Sequence, residues 1–318
     1  MASTARAKMH KRPVLPPRLK RGDTIGLVCP AGPVRDMEQL QAGLRLIVDQ
    51  GFKVKLSGPA EPCEGYLADT DEQRAAHLHR LWADEEVRAI LAIRGGFGCL
   101  RLADRLDWDL FARQPKWLVG FSDVTILLNS LYHRSALVAV HGPMGSSLAR
   151  SDEQSMVSLF ALLTGRMEER IRPRGLEVLR SGTGQGPLVG GNLTTLVHLL
   201  GTPWDNRWDG CILVLEDTNE PLYRLDRMLT QLAQAGRFEQ LAGLILGDFD
   251  LEGDNRLADM RLREAVWARV LELLPPGFPV WADFPCGHRT ANLALPIGME
   301  AVMEEGTLRF LPGSVTLA

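Results

Sequence analysis

The chain has 318 residues, an apolar fraction of 45%, a charged fraction of 24% and a net charge of −3. That length suggests two domains at roughly 150 residues each, and the composition excludes a disordered chain, a collagen-like repeat and a disulfide-stapled miniprotein. No apolar run approaches the ~18 residues of a membrane span. The charge is unevenly placed. Residues 1–21 hold Arg6, Lys8, Lys11, Arg12, Arg18, Lys20 and Arg21 with no acid, so the rest of the chain carries −10. An acidic body argues against nucleic-acid binding, which needs a basic surface to neutralise phosphates. The basic segment lacks the apolar run of a secretory signal and reads as a solvated tail punctuated by Pro13, Pro16 and Pro17. Cys29, Cys63, Cys99, Cys211 and Cys286 are scattered without a CxxC pair. That pattern points to thiols in a reducing cytosol rather than to a zinc site.

In chain order, a strand over 24–29 ends at the turn signal Pro30-Ala31-Gly32-Pro33. Leu40, Leu44, Ile47 and Val48 form one apolar stripe, which predicts a helix over 36–50. Strand 52–56 follows, then helix 70–84 with Asp69 or Thr70 as cap, strand 87–93 and helix 100–111. A short buried strand at 117–120, a helix at 123–134 and a strand at 138–140 close the first half. This alternation implies a mainly parallel sheet with crossover helices. A helix at 153–163 and a polar, Gly- and Arg-rich stretch mark the connection, taken as 146–185. The second half, 186–318, reads as helix 194–200, strand 211–215, helix 224–235, strand 241–246, helix 261–274, strand 278–282 and a terminal hairpin over 299–310. The domain division is therefore a tail at 1–21, an α/β unit at 22–145, the connection, and a C-terminal unit.

Four segments carry candidate chemistry. Strand 117–120 runs into Gly120-Phe121-Ser122-Asp123 and a helix, a layout that lifts a serine hydroxyl above the sheet edge. Val124 replaces the second glycine of a nucleophile elbow, and Ser122 by itself reads first as a helix N-cap. Arg94-Gly95-Gly96-Phe97-Gly98 follows a buried strand, where clustered glycines let backbone amides face one point and bind an oxyanion. No Gly-Lys-Ser/Thr follows, which excludes a P-loop. Glu216, Asp217 and Glu220 gather at the end of a buried strand, where an acid could orient an imidazole. The alternative is a solvated loop with Glu220 paired to Arg224 at helical spacing. His288 in Pro285-Cys286-Gly287-His288 is a candidate general base, with His141 before Gly142-Pro143 as its competitor. Together Ser122, Glu216 and His288 make one mechanism, in the order Ser…acid…His, each at or past a strand end.

These motifs, with Gly190-Gly191-Asn192-Leu193 and Tyr223-Arg224-Leu225-Asp226-Arg227, resemble the LD-carboxypeptidase family of serine peptidases. That family includes muramoyltetrapeptide carboxypeptidases and microcin C immunity proteins. The resemblance runs in order from about residue 23 to 310. It implies an α/β flavodoxin-like parallel-sheet N-terminal domain and a smaller β-rich swivelling C-terminal domain, with the site between them. It implies Ser122 as nucleophile, Glu216 as triad acid and His288 as base, with Gly96, Asp123 and less directly Gly95 supplying oxyanion amides. Arg94, Asn192 and His141 are candidate substrate-binding residues. Phe97 and Phe121 stand where the family commonly has tyrosine, and Cys99 where it often has a small hydroxyl residue.

The resulting expectation is a cytoplasmic homodimer that needs no metal or cofactor and has neither nucleic-acid nor membrane partners. It would release D-Ala from murein tetrapeptides in peptidoglycan recycling. Two alternatives remain: a microcin C-like immunity peptidase acting on aminoacyl or peptidyl nucleotides, and a non-catalytic muropeptide-binding module. The first would need an aromatic surface, for which Trp204 and Trp208 are available.

Overall fold

The computed structural model describes residues 12–59, 61, 64–251 and 255–318. The first eleven residues of the basic segment, and Cys63, lie outside them. In the first half the strands are β1 (Val14–Leu15), β2 (Thr24–Val28), β3 (Lys53–Ser57), β4 (Val87–Ala92), β5 (Trp117–Gly120) and β6 (Ala139–His141). The helices there are α1 (Met37–Asp49), α2 (Asp71–Ala83), α3 (Cys99–Ala103), α4 (Trp108–Arg113) and α5 (Thr125–Ser135). The second half adds α6 (Glu153–Leu163), β7 (Arg170–Ile171), β8 (Glu177–Arg180), β9 (Gly184–Asn192), α7 (Leu193–Val197), β10 (Ile212–Thr218), α8 (Leu222–Gln234), β11 (Gly243–Asp250) and α9 (Arg256–Leu273). It ends with β12 (Val280–Ala282), β13 (Leu295–Ile297), β14 (Glu300–Glu304), β15 (Thr307–Phe310) and β16 (Thr316–Leu317).

The helix starts follow from local chemistry. Asp36 caps α1 by accepting from the Gln39 amide, and Thr70 caps α2 by accepting from Gln73. The helix expected over 100–111 is two helices, because Asp107 caps α4 through the Leu110 amide and starts a new turn there. β2, β4 and β5 are buried along nearly their whole length. A strand covered on both faces reads as a continuous apolar run, which is why all three were visible in the sequence.

The first sheet has the order β3-β2-β4-β5-β6-β13. Its first five strands are parallel and follow the doubly wound order 2-1-3-4-5 of a flavodoxin-like sheet. Strand β13 comes from the far end of the chain and lies antiparallel to β6, with Leu295 opposite His141. The second sheet has the order β7-β15-β14-β9-β10-β11-β12-β8. Strands β9 to β12 are parallel, and antiparallel strands extend both sides. The connection at 146–185 thus supplies both outer strands of that sheet, while residues 295–297 of the second half return to the first sheet.

Residues 13–19, read from composition as tail, are packed on the body. β1 pairs with β16, the Trp117 indole donates to the Pro17 carbonyl at 2.9 Å, and Leu19 is buried. Val14, Leu15 and Leu19 give this stretch apolar surface to bury, which its charge count conceals. Among the described residues no helix is long and apolar enough to cross a membrane.

Candidate active site

The serine turn sits at the carboxyl end of β5. Ser122 opens a single 3₁₀ turn, Ser122–Val124, with a φ of 58°. A left-handed non-glycine residue costs of order 1–3 kcal/mol and persists only where its surroundings hold it. Neither this turn nor α5 has a side-chain capping hydrogen bond, so the serine hydroxyl is not spent as an N-cap. The glycine loop closes over it. A Cβ on Gly95 would lie 2.8 Å from Ser122 Cβ, 2.9 Å from its Oγ and 3.5 Å from the Asp123 nitrogen. Only glycine permits that approach. The loop is tied from both sides: Gly32 N–H donates to the Gly95 carbonyl at 3.1 Å, and Cys99 N–H donates to the Asp123 carboxylate at 2.8 Å. Gly95 therefore lies against Ser122 and the Asp123 amide, with Gly96 next to it in the loop. Cys99 is fully buried, and burial together with the Asp123 charge pushes its thiol pKa well up, away from a reactive thiolate.

Glu216 and His288, the candidate acid and base, come from the second sheet and from the loop that follows its strand β12. β10 runs past the expected end at 215, so Glu216 lies within a strand and is completely buried. Its Oε2 meets His288 Nδ1 at 2.8 Å. Burial works against ionisation of Glu216, but the His288 charge and hydrogen bond prevail and hold the carboxyl below its ordinary pKa. The same contest runs in reverse at His288. Burial alone would lower its pKa; the Glu216 charge and hydrogen bond raise it. Gly287 has a φ of 135°, and a Cβ there would come within 3.1 Å of Glu216 Oε2 and 3.0 Å of Asp248 Cβ. The Cys-Gly-His spacing thus serves to thread a backbone between two carboxylates. Phe121, the residue before Ser122, packs edge-on against the His288 ring at 4.9 Å between centroids. That contact brings the serine turn and the histidine loop together.

The seam between the units is hydrogen-bonded. Asn129 of α5 donates to the Gly190 carbonyl and accepts from the Gly190 amide, both at 2.9 Å. Thr125 Oγ1 accepts from the Asn192 amide at 3.1 Å. The candidate substrate residues Asn192, His141 and Arg94 are each packed or bonded within the protein. Asn192 is buried, caps α7 through Thr195, and donates to Asp217 at 3.1 Å. Asp217 is itself buried, which pushes its pKa up to about 6. His141 is fully buried behind Phe121, and burial lowers its pKa toward the neutral ring. Arg94 donates to the Pro33 carbonyl at 3.2 Å and holds the turn after β2. The solvated-loop alternative for Glu216 and Asp217 fails on their burial, although Glu220 does pair with Arg224 at 3.4 Å on the surface.

A cleft of about 740 Å³ opens beside His288 and Phe121. Its charged lining is Arg150, Asp250, Arg256, Asp259, Arg263 and Arg289. Arg263 pairs with Asp283 at 2.6 Å, and Arg289 reaches Asp250 and Asp259, each at 3.4 Å. Single-sequence reasoning missed all four arginines, because they come from a 3₁₀ turn, a helix and the histidine loop, and no linear motif joins them. Trp204 and Trp208, the candidate stacking surface, are buried, and the Trp204 ring lies 5.3 Å from Trp108.

The comparisons with known proteins agree with this construction. Residues 25–142 match the LD-carboxypeptidase N-terminal domain, and residues 185–303 match the LD-carboxypeptidase C-terminal domain. A probable murein peptide carboxypeptidase of Bacillus subtilis (strain 168) is 36% identical over 296 residues, covering 91% of each chain. The murein tetrapeptide carboxypeptidase of Pseudomonas aeruginosa is 34% identical over 299 residues, covering 90% of this chain and 94% of that one. Among solved structures, an MccF-like protein from Bacillus anthracis str. Ames matches with a TM-score of 0.83 at 26% identity, covering 94% of this chain and 99% of that one. With both domains matched in order and close relatives spanning nearly its full length, this chain belongs to the LD-carboxypeptidase family.

Proposed function

We propose that the protein is a serine-type LD-carboxypeptidase that removes the terminal D-residue from murein tetrapeptides, as a cytoplasmic homodimer. The observation that carries this reading is the 2.8 Å contact between His288 Nδ1 and the buried Glu216, on a histidine whose ring packs against Phe121 beside Ser122. The murein peptide names of its relatives support the substrate class. The buried thiols of Cys99, Cys211 and Cys286 suit a reducing compartment.

In this mechanism Glu216 accepts a hydrogen bond from the His288 Nδ1–H, which fixes the tautomer and leaves Nε2 free as the base. His288 removes the Ser122 proton as Oγ attacks the carbonyl of the L-centre. The amides of Gly96 and Asp123 bind the developing oxyanion, with Gly95 packed behind the serine. The Glu216 charge stabilises the imidazolium that forms. His288 then hands its proton to the departing amine, and water attacks the acyl-enzyme by the same route. Incubation with a murein tetrapeptide beside a peptidyl-adenylate analogue, with products weighed by mass, tests the reading. Loss of one D-Ala from the tetrapeptide supports it. Cleavage of the adenylate analogue alone replaces it with an immunity-type activity.

The pH profile gives an independent check. The base acts only when neutral, and its pKa is raised from the ordinary histidine value of 6.5 by the Glu216 charge against the opposing effect of burial. The acidic limb of kcat/KM is therefore expected on the alkaline side of 6.5, with activity rising as pH rises through it. A limb midpoint at or below the free-histidine value of about 6.5 would contradict the pairing.

A further inference from the structure

A carboxypeptidase must recognise a free terminal carboxylate, and Arg94, the sequence candidate, is engaged with the Pro33 carbonyl and does not line the cleft. Of the four cleft arginines, Arg263 and Arg289 are held by aspartates. Arg150 and Arg256 have no ion-pair partner among the described residues, and both are exposed. Arg150 ends the 3₁₀ turn Leu148–Arg150. Two residues on, the Asp152 amide donates to the Thr290 carbonyl at 2.9 Å, and Thr290 is two residues past His288. The Asn292 amide donates to Ser155 Oγ at 2.7 Å, extending the same attachment. The wall that carries Arg150 is thus fastened to the loop that carries the base.

We propose that Arg150 is the specificity residue that binds the substrate's terminal carboxylate. The assignment rests on the carboxypeptidase reading above and deepens it. His288 protonates the leaving amine, so the leaving residue lies on the His288 side of the scissile bond. In an amino acid the amine and the carboxylate are joined by one carbon, about 2.5 Å apart from standard bond lengths. The carboxylate must then enter the cleft that His288, Phe121 and Arg150 line. A guanidinium not already neutralised by an acid offers a planar, paired donor set for it. The body's charge cannot do this work, since it is net negative.

The test compares two peptides, a tetrapeptide ending in a free carboxylate and the same tetrapeptide ending in a carboxamide. The wild-type protein is expected to prefer the free acid by about 50-fold in kcat/KM, the scale of a hydrogen-bonded charge. Arg150→Gln should reduce that preference to about fivefold or less, with the change in KM, and Arg150→Lys should restore part of it. An undiminished preference in Arg150→Gln, an equal loss on both peptides, or a collapse seen only in Arg256→Gln would each overturn the assignment. A wild-type protein that cleaves neither peptide overturns the carboxypeptidase reading itself, and this assignment with it.

Discussion

Ser122→Ala is expected to lower kcat by about 10⁴-fold or more while leaving the thermal midpoint within a few degrees. The two halves of that result have separate causes. The hydroxyl is the attacking atom in the mechanism, so nothing replaces it. It caps no helix amide, so its removal strands no donor. Alanine inherits the same left-handed conformation at φ 58°, and the backbone strain is common to both proteins. Turnover and thermal unfolding measured on one preparation check both halves. A variant that keeps activity within tenfold would return Ser122 to a structural role.

Glu216→Gln is expected to cut kcat by about 10³- to 10⁴-fold. The amide can donate to His288 Nδ1 and so favour the tautomer that puts the proton on Nε2, where the base must be free. It also removes the charge that stabilises the imidazolium. Without that charge only the smaller effects of Asp217 and Asp250 oppose the burial of His288, and any residual activity should show its acidic limb moved to lower pH. The stability consequence has a definite sign. Glu216 has a folded pKa below its ordinary value of 4.5, so its contribution is present above that pH and is lost as pH falls through the folded value. The Glu216 share of that acid loss is absent from the variant. A kcat within tenfold of wild type, or an unmoved limb, would remove Glu216 from the triad.

Much of this was legible in the sequence, for identifiable reasons. β2, β4 and β5 are buried over most of their length and show as largely apolar runs. Ser122, Glu216 and His288 follow or end such runs, which is why their order could be read before any contact was known. The extension of β10 through Glu216 and Asp217 was not legible, because two adjacent carboxylates look like a loop until tertiary packing buries them. Strand β13 contains Pro296 and only three residues, too little for a periodicity. The pairing of β1 with β16 joins opposite ends of the chain, and local pattern holds no trace of it. Arg94, Asn192 and His141 were attractive as polar groups near motifs. The structure gives each of them an occupation inside the protein: a turn, a helix cap and a packed wall.

Strand β13 bears on how the chain is made as well as on how it is folded. The serine turn is translated long before residues 295–297, yet its sheet is completed only when Leu295–Ile297 settles beside β6. His288 precedes that strand by seven residues. During vectorial synthesis the sheet that carries the Ser122 turn therefore reaches its final form only after His288 has been made. Until those residues emerge, the β6 edge beside the Ser122 turn stays unpaired.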